Sequence, residues 1–132
     1  MTPERPTILL VDGNAILLRL LVIYLKREGF DVMTAATPTT AWPLWQERAG
    51  NFDLVVSGLY FEQGRKGIEF LEELRQAKPE LHIIVSSGDL PTRTEQQWLH
   101  THRVPFLPKP YEPPTLLGLI NHYLRPEKAR LP

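Results

Sequence analysis

The sequence predicts an α/β sandwich built on a five-stranded parallel sheet, and three observations carry that prediction. Short apolar runs recur five times, at 7–11, 31–35, 53–57, 82–86 and 104–107. The first, third and fourth are continuously apolar rather than alternating, as strands covered on both faces are. Longer stretches with helical spacing separate the runs. Strands alternating with helices imply right-handed crossovers and a doubly wound sheet.

The elements follow in order. TILLV at 7–11 is the first strand. The first helix covers 14–28, opened by Asn14 as its N-cap and stopped by Gly29. It is apolar nearly all round. Leu17, Leu21 and Tyr24 form one core stripe, and Leu18, Val22 and Leu25 form a second. That second stripe is either a partner surface or an overlap of core positions. DVMTA at 31–35 is the second strand. The next helix opens at Thr37-Pro38, a cap with proline in the first turn. Its Trp42 and Trp45 read as packing residues, and Pro43 between them should kink or shorten the helix. DLVVS at 53–57 is the third strand, followed by a helix over about 67–77 with Ile68, Leu71 and Leu74 on one stripe. HIIVS at 82–86 precedes a helix at about 92–101 that is polar apart from Trp98 and Leu99. Trp98 there is either partly exposed or an anchor for a partner. VPFL at 104–107 leads to a last helix after Pro113-Pro114, carrying Leu116, Leu117, Ile120 and Leu124. The expected core runs from about 6 to 125 of a single domain spanning 1–132, with tails at 1–5 and 126–132.

Composition narrows the function classes. At 132 residues the chain can build one core without disulfides or metal staples. Lys+Arg and Asp+Glu both number 15, so the formal net charge is zero and neither nucleic acid nor an anionic membrane is an expected partner. The absence of cysteine removes thiol catalysis and cysteine-ligated metal from consideration. No apolar run reaches the roughly 18 residues a membrane span needs, and MTPERP lacks a signal-peptide pattern. The expected location is cytoplasmic. The histidines give no metal signal, since His100 and His102 would point about 200° apart on a helix.

In doubly wound sheets, ligands bind outside the carboxyl ends of the strands. The residues there are Asp12-Gly13-Asn14, Ser57-Gly58, Ser86-Ser87-Gly88 and Lys109-Pro110. ILLVDGN at 8–14, DLVVSGL at 53–59, IIVSSGD at 83–89 and FLPKPY at 106–111 together resemble the four signature blocks of response-regulator receiver domains of two-component signalling. GRKGIEFL at 64–71 resembles the glycine-containing loop that opens the third helix in that family. The resemblance implies the flavodoxin-like (βα)5 fold with strand order 2-1-3-4-5. It also implies a site in which an aspartate nucleophile and two further acidic residues work around Mg²⁺, helped by a Ser/Thr and a lysine.

Carried over position by position, the resemblance keeps Asp12, Ser87 and Lys109. Gly13 stands where a second acidic residue is expected, and Gly58 stands where the phosphoacceptor is expected. Glu62 and Lys66 also depart from the family's common residues. Covalent aspartyl phosphorylation needs a carboxylate nucleophile, and glycine has none. Mg²⁺ binding is therefore expected to be lost or weak, with Asp12 and the Tyr60 backbone as its only remnants, and no cofactor is expected. Each kept residue also has a structural reading. Asp12 suits a β/α turn cap, Ser87 can satisfy loop amides, and Lys109 can pair with Asp12. Phe106 falls at the family's switch-aromatic position, where a fixed ring serves equally well. Ser57 points away from the vacant position, Asp53 lies at the wrong end of its strand, and Asp89 reads as a loop residue.

The implied function is a pseudo-receiver, not an enzyme, that acts by binding a histidine kinase, a phosphotransfer protein or an output domain, with a homodimer also allowed. The alternative is a phosphoaccepting receiver in which a substitute acid such as Glu62 rebuilds a weak metal site. Leu18, Val22, Leu25 and Trp98 are the candidate partner surface, with core packing the alternative reading for the α1 stripe.

Overall fold

A computed structural model of the chain describes residues 5–62 and 66–129. Gly64 and Arg65 of the loop before the third helix lie outside them, as do residues 1–4 and 130–132. The strands are β1 (Thr7–Val11), β2 (Asp31–Ala35), β3 (Leu54–Ser57), β4 (His82–Ser87) and β5 (Phe106–Pro108). The helices are α1 (Ala15–Arg27), α2 (Pro38–Glu47), α3 (Gly67–Ala77), α4 (Arg93–Thr101), α5 (Pro113–Leu124) and a short α6 (Pro126–Ala129). The strands form one sheet in the order β2-β1-β3-β4-β5 with every pairing parallel. This is the doubly wound, flavodoxin-like order that the resemblance implies.

The continuously apolar strands are buried on both faces. β1 and β3 are buried at every residue, and β4 at all but His82. Their side chains alternate between two cores. Leu9, Val55, Ile83 and Val85 face α2, α3 and α4, packing with Trp45, Phe70, Leu71 and Leu74. Ile8, Leu54, Val56 and Ile84 face α1 and α5, packing with Leu21, Leu25, Leu116 and Ile120. Each fully buried large side chain contributes about 1.5–3 kcal/mol by leaving water. Two such layers are what fix the sheet in register.

Local chemistry sets the helix ends. Asn14 caps α1 by accepting from Leu17 N–H at 3.0 Å. Gly29 ends it at φ +94°, a conformation that glycine adopts without steric cost. Two arginines also bond carbonyls around that end: Arg5 donates to Lys26 and Phe30, and Arg125 donates to Glu28 and Gly29. Thr37 and Thr40 form a capping box on α2, and Thr92 and Glu95 form one on α4.

Three expectations are corrected. The second stripe of α1 is not a surface: Leu18 and Leu25 are buried with Leu21, and Val22 is half-buried. The exposed apolar residues of that helix are Ile16, Leu20 and Ile23, at 80%, 50% and 56% exposure. Because α1 is apolar nearly all round, its sequence alone does not say which stripe the sheet takes. Pro43 does not shorten α2, which runs on to Glu47. Pro43 lies on the solvent side, where water can satisfy the carbonyl its missing N–H leaves over. Pairing of β5 begins at Phe106 rather than Val104, since Pro105 has no N–H to give, although its carbonyl accepts from Val85 N–H at 3.0 Å.

Candidate functional site

Parallel strands all end on one edge of the sheet, and the strand order sets the ends of β1 and β3 side by side at its centre. Asp12 follows β1. Its Oδ1 accepts the Asn14 N–H at 2.8 Å, and its Oδ2 accepts from Lys109 Nζ at 2.6 Å. Lys109 follows β5, with its own N–H bonded to the Ser87 carbonyl at 2.9 Å. Both Asp12 oxygens are thus engaged, one as a turn cap and one in an ion pair. The two structural readings of Asp12 and Lys109 hold at once.

The two glycines differ in what surrounds them. A Cβ placed at Gly13 would meet nothing within 4 Å. A Cβ placed at Gly58 would touch Phe61 Cζ at 3.4 Å and the Ser86 carbonyl oxygen at 3.7 Å. Gly58 is buried and donates its N–H to Val11 O at 2.9 Å, which locks the tip of β3 to β1. Beside it, Ser57 turns its hydroxyl to the Gly58 carbonyl at 2.9 Å, and Asp53 accepts the Thr7 N–H at the opposite end of the strand. Ser87 is buried, and its Oγ accepts the Asp89 N–H at 3.1 Å, so it satisfies a loop amide.

Asp12, Gly13, Thr37, Tyr60, Glu62 and Lys109 line a hollow of about 510 Å³. A smaller one of about 150 Å³ reaches Gly58, Phe61 and Ser87. Glu62 is exposed on the rim. Among the described residues, no three His, Asp or Glu side chains gather to hold a metal ion.

Two features of the site were not expected from sequence. The first is the Phe61 ring against Gly58. The second is Tyr60, which reaches from the β3–α3 loop to α4. Its hydroxyl donates to Glu95 Oε1 at 2.5 Å and lies 3.3 Å from the Leu90 carbonyl. The Glu95 bond, then desolvation, pushes the Tyr60 hydroxyl up to about 12. Desolvation works to raise the Glu95 carboxyl, but the bonds from Tyr60 and Thr92 outweigh it and hold the group below its ordinary value. The T-x-x-E spacing at 92–95 announces the cap, yet nothing in it tells that Tyr60 shares the carboxylate. Tyr111, beyond Lys109, is also pushed up to about 12, first by burial and then by the negative charge of Asp12.

The site brings together Asp12, Gly13, Gly58, Ser87 and Lys109. Phe106 stands apart from it, half-buried against the core on the α2–α4 face. Trp98 is half-buried against that same core and against the His102 ring at 4.4 Å between centroids.

The comparisons with known proteins agree with this geometry. The profile of the response regulator receiver domain matches residues 8–121. The chain belongs to the response regulator receiver domain family. It is 30% identical over 124 residues to the DNA-binding transcriptional regulator NtrC of Rhizobium meliloti, covering 94% of this chain and 25% of that protein. The chain therefore spans about a quarter of that relative's length. Among solved structures, a response regulator receiver protein from Pseudomonas putida is 31% identical with a TM-score of 0.78, covering 92% of this chain and 99% of the other. The signal receiver domain of an HD domain-containing protein from Pseudomonas fluorescens Pf-5 is 27% identical with a TM-score of 0.80, covering 99% and 97%. The chain is a receiver domain of the two-component signalling type.

Proposed function

We propose that this receiver works without accepting a phosphoryl group, as an interaction domain that signals by binding. The observation that carries the reading is the state of the strand ends. Gly58 offers no carboxylate at the tip of β3, and the one carboxylate at the end of β1 is already committed to Asn14 and Lys109. Mg²⁺ needs near-octahedral oxygen ligation, and this donor set does not fit it. Asp12 would have to release Lys109 to take part, and Glu62 sits exposed on the rim.

A domain of this kind acts through its surface, and the outer face of α1 is the best-supported one. Ile16, Leu20 and Ile23 stand exposed at i, i+4 and i+7. Arg19, Lys26 and Arg27 flank them, and α1 contains no acidic residue. An apolar groove of about 440 Å³ runs beside this strip, lined by Leu18, Arg19, Val22, Ile23 and Thr34. Charge complementarity favours an amphipathic partner helix with acidic flanks, laid along α1. The partner belongs to the two-component machinery, a kinase, phosphotransfer protein or output domain.

Titration with Mg²⁺, followed by amide NMR, tests the reading. Up to the millimolar range, residues 12–13 and 58–60 should show no saturable shift. Saturable, localised binding below millimolar Mg²⁺ would favour instead a phosphoaccepting receiver whose metal site Glu62 completes.

A further inference from the structure

Of the helices α1 to α5, α4 is held least by burial. Within Arg93–Thr101, Leu99 is buried, Glu95 and Trp98 are half-buried, and the rest are exposed. Each of α1, α2, α3 and α5 buries three residues or more. With so little apolar area beneath it, α4 depends on what ties its two ends. Pro91 before it and Val104 after it are buried and bound the weakly held segment.

A side chain from elsewhere in the fold reaches each end of α4. At its first turn the Tyr60 hydroxyl donates to Glu95 Oε1 at 2.5 Å, the same oxygen that accepts the Thr92 N–H at 2.8 Å. Tyr60 thus bonds the carboxylate that closes the capping box, and a hydrogen bond to an ionised acceptor is about twice as strong as a neutral one. At the other end Arg75 Nη1 donates to the carbonyl of His102, the C-cap, at 2.7 Å. The Arg75 Nε donates to the Leu81 carbonyl at 3.0 Å, so one guanidinium joins α3, the entry to β4 and the end of α4. Tyr60 also lines the hollow at the strand ends. One side chain therefore belongs both to the site and to the tie on α4.

We infer that α4 is a detachable segment, clipped at its first turn by Tyr60 and at its C-cap by Arg75, that opens as a unit while the sheet stays folded. Opening draws Leu99 and Trp98 off the core they pack against and turns an apolar face outward beside the site. The Tyr60 clip is the control point, because whatever turns that ring away from Glu95 at the rim raises the open population. The device goes beyond the proposed function and needs nothing from phosphoryl acceptance or its loss.

Amide hydrogen exchange of the folded protein, read by NMR, tests this. The amides of residues 97–102 should exchange faster than those of β1, β3 and β4, through an opening smaller than global unfolding. Tyr60→Phe keeps the ring and removes the clip. It should speed exchange at 97–102 roughly tenfold and leave the strand amides unchanged. Glu95→Gln keeps an oxygen for both Thr92 and Tyr60 and should fall between the parent and Tyr60→Phe. Exchange of the α4 amides only together with the strands would overturn the detachable α4. So would Tyr60→Phe leaving the α4 amides unchanged, or speeding the strands equally. Faster exchange in Glu95→Gln than in Tyr60→Phe would overturn the clip, since the capping box and not Tyr60 would then hold the helix. None of these outcomes bears on phosphoryl acceptance, so this device and the proposed function fail separately.

Discussion

Lys109 Nζ lies 2.6 Å from Asp12 Oδ2, an ion pair that joins the end of β5 to the end of β1. Ninety-seven residues separate the partners in sequence, and only the sheet brings them together. Both are partly buried, with side-chain exposures of 25% for Lys109 and 14% for Asp12. Breaking such a pair from one side strands the other charge. Asp12→Ala should therefore destabilise the fold by roughly 1–3 kcal/mol, nearer the lower figure because water still reaches Lys109. Adding Lys109→Met should recover part of the loss. In a pocket crowded with carboxylates the sign would be reversed, since removing one acid relieves repulsion. Denaturant melts of both proteins distinguish the cases, and a stabilised Asp12→Ala would contradict an ion pair standing among few other acids.

The tie between Tyr60 and Glu95 should be visible in titration. Tyr60 and Tyr111 are both pushed up to about 12. A phenol raised above its unfolded value favours the neutral form in the folded state. The stability it adds is complete below about pH 10 and lost as pH rises through about 12. Glu95 carries the opposite sign: its contribution is present above the ordinary carboxylate range and lost as pH falls through its lowered value. Ultraviolet difference titration should show two late phenol ionisations, and Tyr60→Phe should remove one of them and leave that of Tyr111. Ionisation of Tyr60 at an ordinary phenol pH would show that the bond to Glu95 does not persist in solution.

Glycine substitutions separate architecture from vacancy. A Cβ at Gly67 would stand 2.6 Å from the Leu59 carbonyl oxygen, and this neighbour is backbone. Gly67→Ala should cost more than about 2 kcal/mol, because the loop or the start of α3 must shift. Gly13→Ala meets nothing within 4 Å and should stay within about 0.5 kcal/mol. Comparable losses at both positions would mean that the loop after β3 relaxes freely.

On α1, Leu20→Ser and Ile23→Ser should change stability by no more than about 0.5 kcal/mol, as exposed positions do. Leu21→Ala and Leu25→Ala should cost about 2–5 kcal/mol through lost burial and cavities. Chemical denaturation of the four proteins assigns the two faces. A large loss at Leu20 would show that the outer strip is packed and not open to a partner.

Much of this architecture was legible in the chain. The continuous apolar runs of β1, β3 and β4 announced doubly buried strands, Asn14 and Gly29 bounded α1, alternation implied a parallel sheet, and the family resemblance implied its strand order. The pairing of Lys109 with Asp12 followed from both residues lying at carboxyl ends on one sheet edge. What remained hidden depended on choices between near-equal faces. A helix as apolar as α1 presents two stripes of similar composition, so sequence left open whether Leu18 and Leu25 face a partner or the core, and the sheet buries them. Phe61 and Tyr60 lie in a loop with no periodicity, and what they touch is set by how α3 and α4 close over it. Pro43 looked set to shorten α2 because sequence counts the lost hydrogen bond but not the water that replaces it.

Incubation of the unmodified protein with acetyl phosphate and Mg²⁺, read by intact mass, tests the central claim most directly. With Gly58 at the β3 tip and both Asp12 oxygens committed, the mass should not change. A hydroxylamine-labile gain of one phosphoryl group would mean that an acyl phosphate forms on another carboxylate, and the domain would then be a phosphoaccepting receiver after all.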